Sequence, residues 1–122
     1  VTPTWSRGNA AQLSNRRGWL VGHFIKDLTD PHYSKDVEIK WGVHPAGDER
    51  VEWSAGRHDR TILILVSGRW HLELASSDQH DTPTTVTLDI QGDYVLWEKG
   101  IDHRWRAEAD SVVITVRWPS MA

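Results

Sequence analysis

Seven histidines are the groups best suited to move a proton near neutral pH in this 122-residue chain, because an unperturbed imidazole titrates at about 6.5. His103 stands out by its setting. In Gly92-Asp93-Tyr94-Val95-Leu96-Trp97-Glu98-Lys99-Gly100-Ile101-Asp102-His103-Arg104-Trp105 a strand runs into a glycine turn, and His103 begins the strand that follows. Period-two alternation sends Trp105 to the side of His103 and Asp102 to the other. Tryptophan walls strip solvent from an imidazole and favour its neutral, proton-accepting form. His103 is therefore the first candidate for acid/base catalysis.

Lys40 and His44 share one face of the segment from Val37 to His44, opposite Ile39, Trp41 and Val43. A lysine among apolar neighbours usually faces solvent, so Trp41 is expected inside. With the opposite parity, Lys40 and His44 supply an acid/base pair for dehydration or isomerisation, and both are kept as catalytic candidates. His58, in Arg57-His58-Asp59-Arg60, reads as a solvated turn. His71 and Glu73 read as outward, His32 and His80 as loop residues, and His23 fits either side. A transition metal needs three or more nitrogen or oxygen donors. His44, His58 and His103, with Glu52 as a fourth, match no familiar ligand spacing, so neither metal nor cofactor is expected.

The elements that must carry these residues are short strands. Thr61 to Val66 is β-branched and apolar, Ser67-Gly68 turns it, and Arg69 to Leu74 returns. Further strands are read at Trp19 to Leu28 with Gly22 as a bulge, Val37 to His44, Val51 to Ala55, Thr84 to Ile90, Tyr94 to Trp97, His103 to Ala107 and Val112 to Trp118. About ten short strands with regular turn signals imply an all-β sandwich or barrel, with a jelly roll favoured. Residues 1–17 are polar and read as an N-terminal arm, and residues 18–122 as a single domain.

Composition removes several function classes. The chain has no cysteine, which excludes disulfides, zinc thiolates and thiol catalysis. No apolar run approaches the ~20 residues needed to span a bilayer. The first residues lack a signal-peptide pattern, and a cytoplasmic protein with no membrane partner is expected. Net charge is −3 with mixed signs, and Arg16-Arg17 is the only basic doublet, so nucleic acid is not an expected partner. No hydrolase elbow, phosphate loop or dinucleotide fingerprint is present. Eight tryptophans against one phenylalanine and two tyrosines suit either a packed core or a flat apolar pocket.

The stretch from about Val37 to Pro119 resembles the cupin superfamily. His44-Pro45-Ala46-Gly47 is similar to the turn that opens the first cupin signature, and Ser67-Gly68 to the glycine turn that closes it. Gly92-Asp93, Gly100 and His103 are similar to the second. A short Gly22-His23-Phe24 stretch is also similar to one in small bacterial cupin-like proteins. The resemblance implies a cupin-type jelly-roll β-barrel of about ten strands. It places the first-signature ligands near Trp53, Ala55 and Thr61, none of which is a standard metal ligand, and leaves His103 as the one that survives.

The resulting expectation is a metal-independent protein that binds a small apolar or ring-bearing molecule in a tryptophan-lined barrel. Trp53, Trp105, Trp41, Trp97 and Thr61 would line the pocket, and His103 would serve isomerase, cyclase or dehydratase chemistry. The alternatives are a non-enzymatic binding module, a metal-dependent cupin oxygenase with non-standard ligands, and a barrel filled by tryptophan. Homodimer formation, through strand edges or an exchanged N-terminal segment, is expected.

Overall fold

The computed structural model describes residues 2–13 and 17–121. Val1, residues 14–16 and Ala122 lie outside them, and with them part of the expected arm and the Arg16 half of the basic doublet. Nine strands follow a one-turn 3-10 helix at Ala10–Gln12: β1 (Trp19–Val21), β2 (Glu38–His44), β3 (Glu49–Ser54), β4 (Arg60–Ser67), β5 (Trp70–Ser76), β6 (Thr84–Leu88), β7 (Tyr94–Glu98), β8 (Ile101–Ala107) and β9 (Ser111–Trp118). They form a five-stranded sheet, β1-β2-β9-β4-β7, and a four-stranded sheet, β3-β8-β5-β6. Every strand pairing is antiparallel.

The all-β expectation is met in its coarser form. The two sheets make a cupin-type sandwich that does not close into a barrel, with nine strands rather than about ten. The largest difference in extent lies at the start. Trp19 to Leu28 does not run as one strand: pairing stops at Val21, and Gly22 makes only an isolated bridge to Tyr33. Bends and turns occupy most of the segment between, held by side chains such as Asp27, which accepts from Thr29.

Alternation fixes what faces the space between the sheets. Leu63, Leu65, Trp70, Leu72, Leu88, Trp97, Ala107 and Val113 make one buried cluster. Leu63 and Leu65 come from β4, Trp70 and Leu72 from β5, so each sheet contributes its inward set. The turns are tight where they must be. Gly68 has a φ of +101°, and a Cβ there would meet Ser111 and the Asp110 carbonyl. Gly100, at φ +96°, turns β7 into β8 and so aims the His103 strand.

The outer face of the five-stranded sheet is unusually apolar. Register aligns Trp41, Ile114, Ile64 and Tyr94 in one row, and Ile39, Val116, Ile62 and Leu96 in the next. Neither row carries a charge. Tyr94 is 63% and Leu96 45% exposed. The Arg60–Glu98 ion pair, at 3.1 Å, bounds these rows at one end.

Candidate functional site

The interior is polar at one end. Across the five-stranded sheet, register sets Glu38, Arg117, Thr61 and Trp97 side by side on β2, β9, β4 and β7. Across the other sheet it sets Ser54 beside His103, and Arg50 beside Trp105. Where the two rows face each other lies a half-open cavity of about 430 Å³, lined by Arg50, Trp53, Ser54, Thr61, His103 and Arg117 among others. That volume suits a small organic molecule.

His103 stands in this cavity against Trp97, with ring centroids 4.9 Å apart. Its Nδ1 is buried and makes no hydrogen bond of good geometry. Burial, reinforced by the positive charges of Arg117 and then Arg50, pushes its pKa down to about 4, while the Ile101 backbone and Asp102 pull weakly the other way. The ring is therefore neutral at pH 7, with a nitrogen able to accept a proton or a hydrogen bond. Asp102 is turned away, as alternation requires. It accepts from Gly56 N at 3.2 Å and lies 2.8 Å from His80 Nε2.

Two cations, Arg117 and Arg50, act on this neutral ring, and Lys40 lies beyond Arg117 on the inner face of β2. Burial lowers the pKa of Arg117, and Arg50 adds to the effect against the opposing pull of Glu38. Lys40 is lowered too, by burial first and then by Arg117 and Arg17. Lys40 Nζ and Arg117 Cζ sit 5.4 and 5.5 Å from the centroid of the Trp19 ring, whose π cloud offsets part of the cost. Arg50 donates from Nε to the Glu52 carbonyl at 3.1 Å. Among the described residues, none of these three cations has a carboxylate within 4.0 Å. The nearby acid, Glu38, is buried and taken by His58, whose Nε2 lies 2.6 Å from its Oε1.

Several expected positions need correction. His58 is not a solvated turn residue: its side chain is 17% exposed and tied to Glu38 and to the Ser120 carbonyl. Trp53 lines the His103 cavity, as expected, and its ring also stacks on His80 at 4.3 Å and lies under Arg104 at 4.4 Å. On the same strand Arg50 and Ser54, four positions apart, pair with Trp105 and His103, two apart, so β3 carries two extra residues in a bulge.

Trp41 is on the outer side. The inward residues of β2 are Glu38, Lys40, Gly42 and His44, because they register with Arg117, Thr115, Val113 and Ser111. The expected parity was the reverse; the outward tryptophan sits on the apolar outer face near the 3-10 turn. His44 packs its ring on Trp105 and Trp70, at 4.6 and 5.0 Å, with Nδ1 2.7 Å from Asp48 Oδ2. Lys40 and His44 line a second hollow of about 310 Å³ and are not lining residues of the His103 cavity. Trp105 faces inward but stacks on Trp70 at 4.6 Å as core. Of the expected pocket residues, Thr61 and Trp53 line the His103 cavity, and Trp97 packs against the His103 ring.

Arg117, Arg50, Ser54 and the His58–Glu38 pair were not anticipated. The one signal was a lone arginine in the β-branched run Val112-Val113-Ile114-Thr115-Val116-Arg117. Both faces of that run are apolar, so its parity could not be read.

The residues do not suit a metal cation. Where the cupin resemblance puts ligands, this chain has Trp53, Ala55, Thr61 and His103, all of which line the cavity, and of them His103 alone is a standard metal ligand. Among the described residues no three His, Asp or Glu side chains converge on a point. Arg50 and Arg117 would repel a dication, and no chemical step is assigned to one.

No family model and no curated protein matches the sequence. Solved structures do resemble the fold. The iron(II) form of HppE aligns with a TM-score of 0.57 at 13% identity, over 68% of this chain and 44% of that one. Cobalt(II) HppE in complex with substrate gives 0.56 and 15%, over 68% and 45%. CENP-C of Drosophila melanogaster, bound to CAL1, gives 0.55 and 12%, over 75% and 69%. The chain spans less than half the length of those HppE chains. Identities this low carry the fold and no function. The neighbours, a cupin-fold enzyme and a cupin domain of CENP-C, agree with the two-sheet architecture: the chain has a cupin-type fold.

Proposed function

We propose that the protein binds a small molecule in the 430 Å³ cavity at the polar end of the sandwich, and that His103 accepts a proton from it. The observation that carries this reading is His103 itself, which lines that cavity together with Arg50, Trp53 and Arg117. Trp53 gives the ligand a flat apolar wall, which supports a ring-bearing molecule. Proton abstraction by a neutral imidazole fits isomerase, cyclase or dehydratase chemistry. The same pocket without turnover would be a binding module.

The test is a screen of ring-bearing metabolites by tryptophan fluorescence, followed by His103→Ala. Variant protein that still quenches but no longer converts the ligand marks an enzyme. Unchanged conversion would remove His103 from the chemistry, and no quenching by any compound would favour a sandwich filled by its own side chains.

We also propose that two copies pair through the outer face of the five-stranded sheet. Its two uncharged rows span roughly 20 Å across four strands at ~4.8 Å spacing. A face without charge has no complement to offer a charged partner, whereas a two-fold axis lays like rows on like.

A further inference from the structure

The cavity that holds His103 is charged in one sense only. Arg50, Arg57 and Arg117 line it, and no aspartate or glutamate does. Glu38, next to Arg117 in register, offsets part of that charge, but it does not line the cavity and its carboxylate is bound to His58 at 2.6 Å. Glu52 offers Arg50 only its backbone carbonyl. Arg117 is half-buried and Arg50 and Arg57 are exposed, and among the described residues none of them has a carboxylate within 4.0 Å. The mouth therefore presents unpaired positive charge to whatever enters it.

Arg117 comes from the five-stranded sheet and Arg50 from the other, so the two guanidiniums flank the opening. The Ser54 and Thr61 hydroxyls lie in the same lining. Planar forks and hydroxyls are the donors that suit a carboxylate or phosphate oxygen. His103 and Trp53 share that lining and give an apolar, ring-bearing remainder a surface to lie against.

We infer that the ligand of this cavity is an organic oxyanion, its charged group held by Arg117 and Arg50 and its body directed toward His103 and Trp53. The inference rests on the proposed cavity site and adds the ligand's charge class. It also assigns the two arginines a positioning role: they fix the acid group so that a C–H or O–H of the ligand can reach the imidazole. An anion near the imidazole favours its protonated form, so binding and proton acceptance support each other.

The test uses the intact chain with benzoate, benzamide and inorganic phosphate at constant ionic strength, read by thermal melting and by His103 ring NMR signals. Benzoate is expected to bind about ten-fold or more tighter than its neutral amide, as charge-assisted hydrogen bonds require, and to shift the His103 signals. Phosphate alone raising the melting temperature would show that the inorganic oxyanion suffices for the charged subsite. Arg117→Met, which removes a half-buried unpaired charge at similar volume, is expected to leave the anion-free melting temperature unchanged or raised, and to erase the preference for benzoate. Arg50→Gln, at a more exposed position, is expected to weaken benzoate several-fold and serves if Arg117→Met fails to fold.

Equal shifts of His103 with benzoate and benzamide would overturn the charge class while leaving the cavity reading intact. No shift with either compound, and no stabilisation by phosphate, would overturn both. A large fall in anion-free melting temperature on Arg117→Met would mark Arg117 as a structural partner of Glu38 and overturn the inference.

Discussion

His103 is a charge switch held in its neutral position by burial. Its folded pKa of about 4 lies below the unfolded value of 6.5, so between those values the unfolded chain binds the proton and the folded chain does not. Stability from this group is therefore fully present above pH 6.5 and is lost as pH falls toward 4. The drop corresponds to roughly 3 kcal/mol, at about 1.4 kcal/mol per tenfold change. Urea melts at pH 7 and pH 4.5 should show His103→Leu losing less stability on acidification than the wild type. An equal loss in both would place the acid sensitivity elsewhere. Arg117, Arg50, Thr61, Ser54 and Trp53 line the cavity with the ring and Trp97 packs against it, while the inward carboxylate of Glu38 is tied to His58. Glu38 and His58 form the other residue-scale contact that matters. His58→Ala leaves a buried carboxylate without its 2.6 Å partner and should destabilise by about 1–3 kcal/mol in chemical denaturation.

At the scale of elements, β3 and β7 each bring a tryptophan to the His103 end, in different settings. Trp53 of β3 lines the cavity, stacks on His80 and lies under Arg104, so Trp53→Ala should cost only about 1 kcal/mol of stability yet weaken ligand binding several-fold. Trp97→Ala, inside and 5% exposed, should cost about 3–5 kcal/mol. Similar costs for the two variants would contradict this assignment. The strands with one period and plain turns, β4 to β9, were legible in the sequence to within a residue or two, because Gly68, Gly92 and Gly100 mark their ends. The sidedness of β2 and β9 was not. Ile39-Lys40-Trp41 and Thr115-Val116-Arg117 place apolar residues outward and charged ones inward, the opposite of the rule for a sheet with one solvated face. That inversion hid Arg117 and Lys40, and the bulge in β3 hid Arg50. His103, Thr61 and Trp97 were legible because the glycine turns and intervening counts are regular around them.

At the scale of the molecule, the inverted pattern gives the fold two distinct surfaces: a cationic mouth inside and an uncharged outer sheet. The outer rows through Ile64 and Ile62 should make the protein associate in a concentration-dependent way, visible by sedimentation velocity. Ile64→Glu, placed between Tyr94 and Ile114 in register, should yield monomer while retaining ligand binding. A wild type that stays monomeric at hundreds of micromolar would dismiss the pairing without touching the mouth. The central claim concerns that mouth, and His103 reports on it directly. Side-chain nitrogen NMR of selectively labelled histidine, followed from pH 7.5 to 3.5 without and then with benzoate, should show a ring that stays neutral until close to pH 4 and whose midpoint rises when the anion binds. A ring that titrates near 6.5 and ignores benzoate would contradict the account.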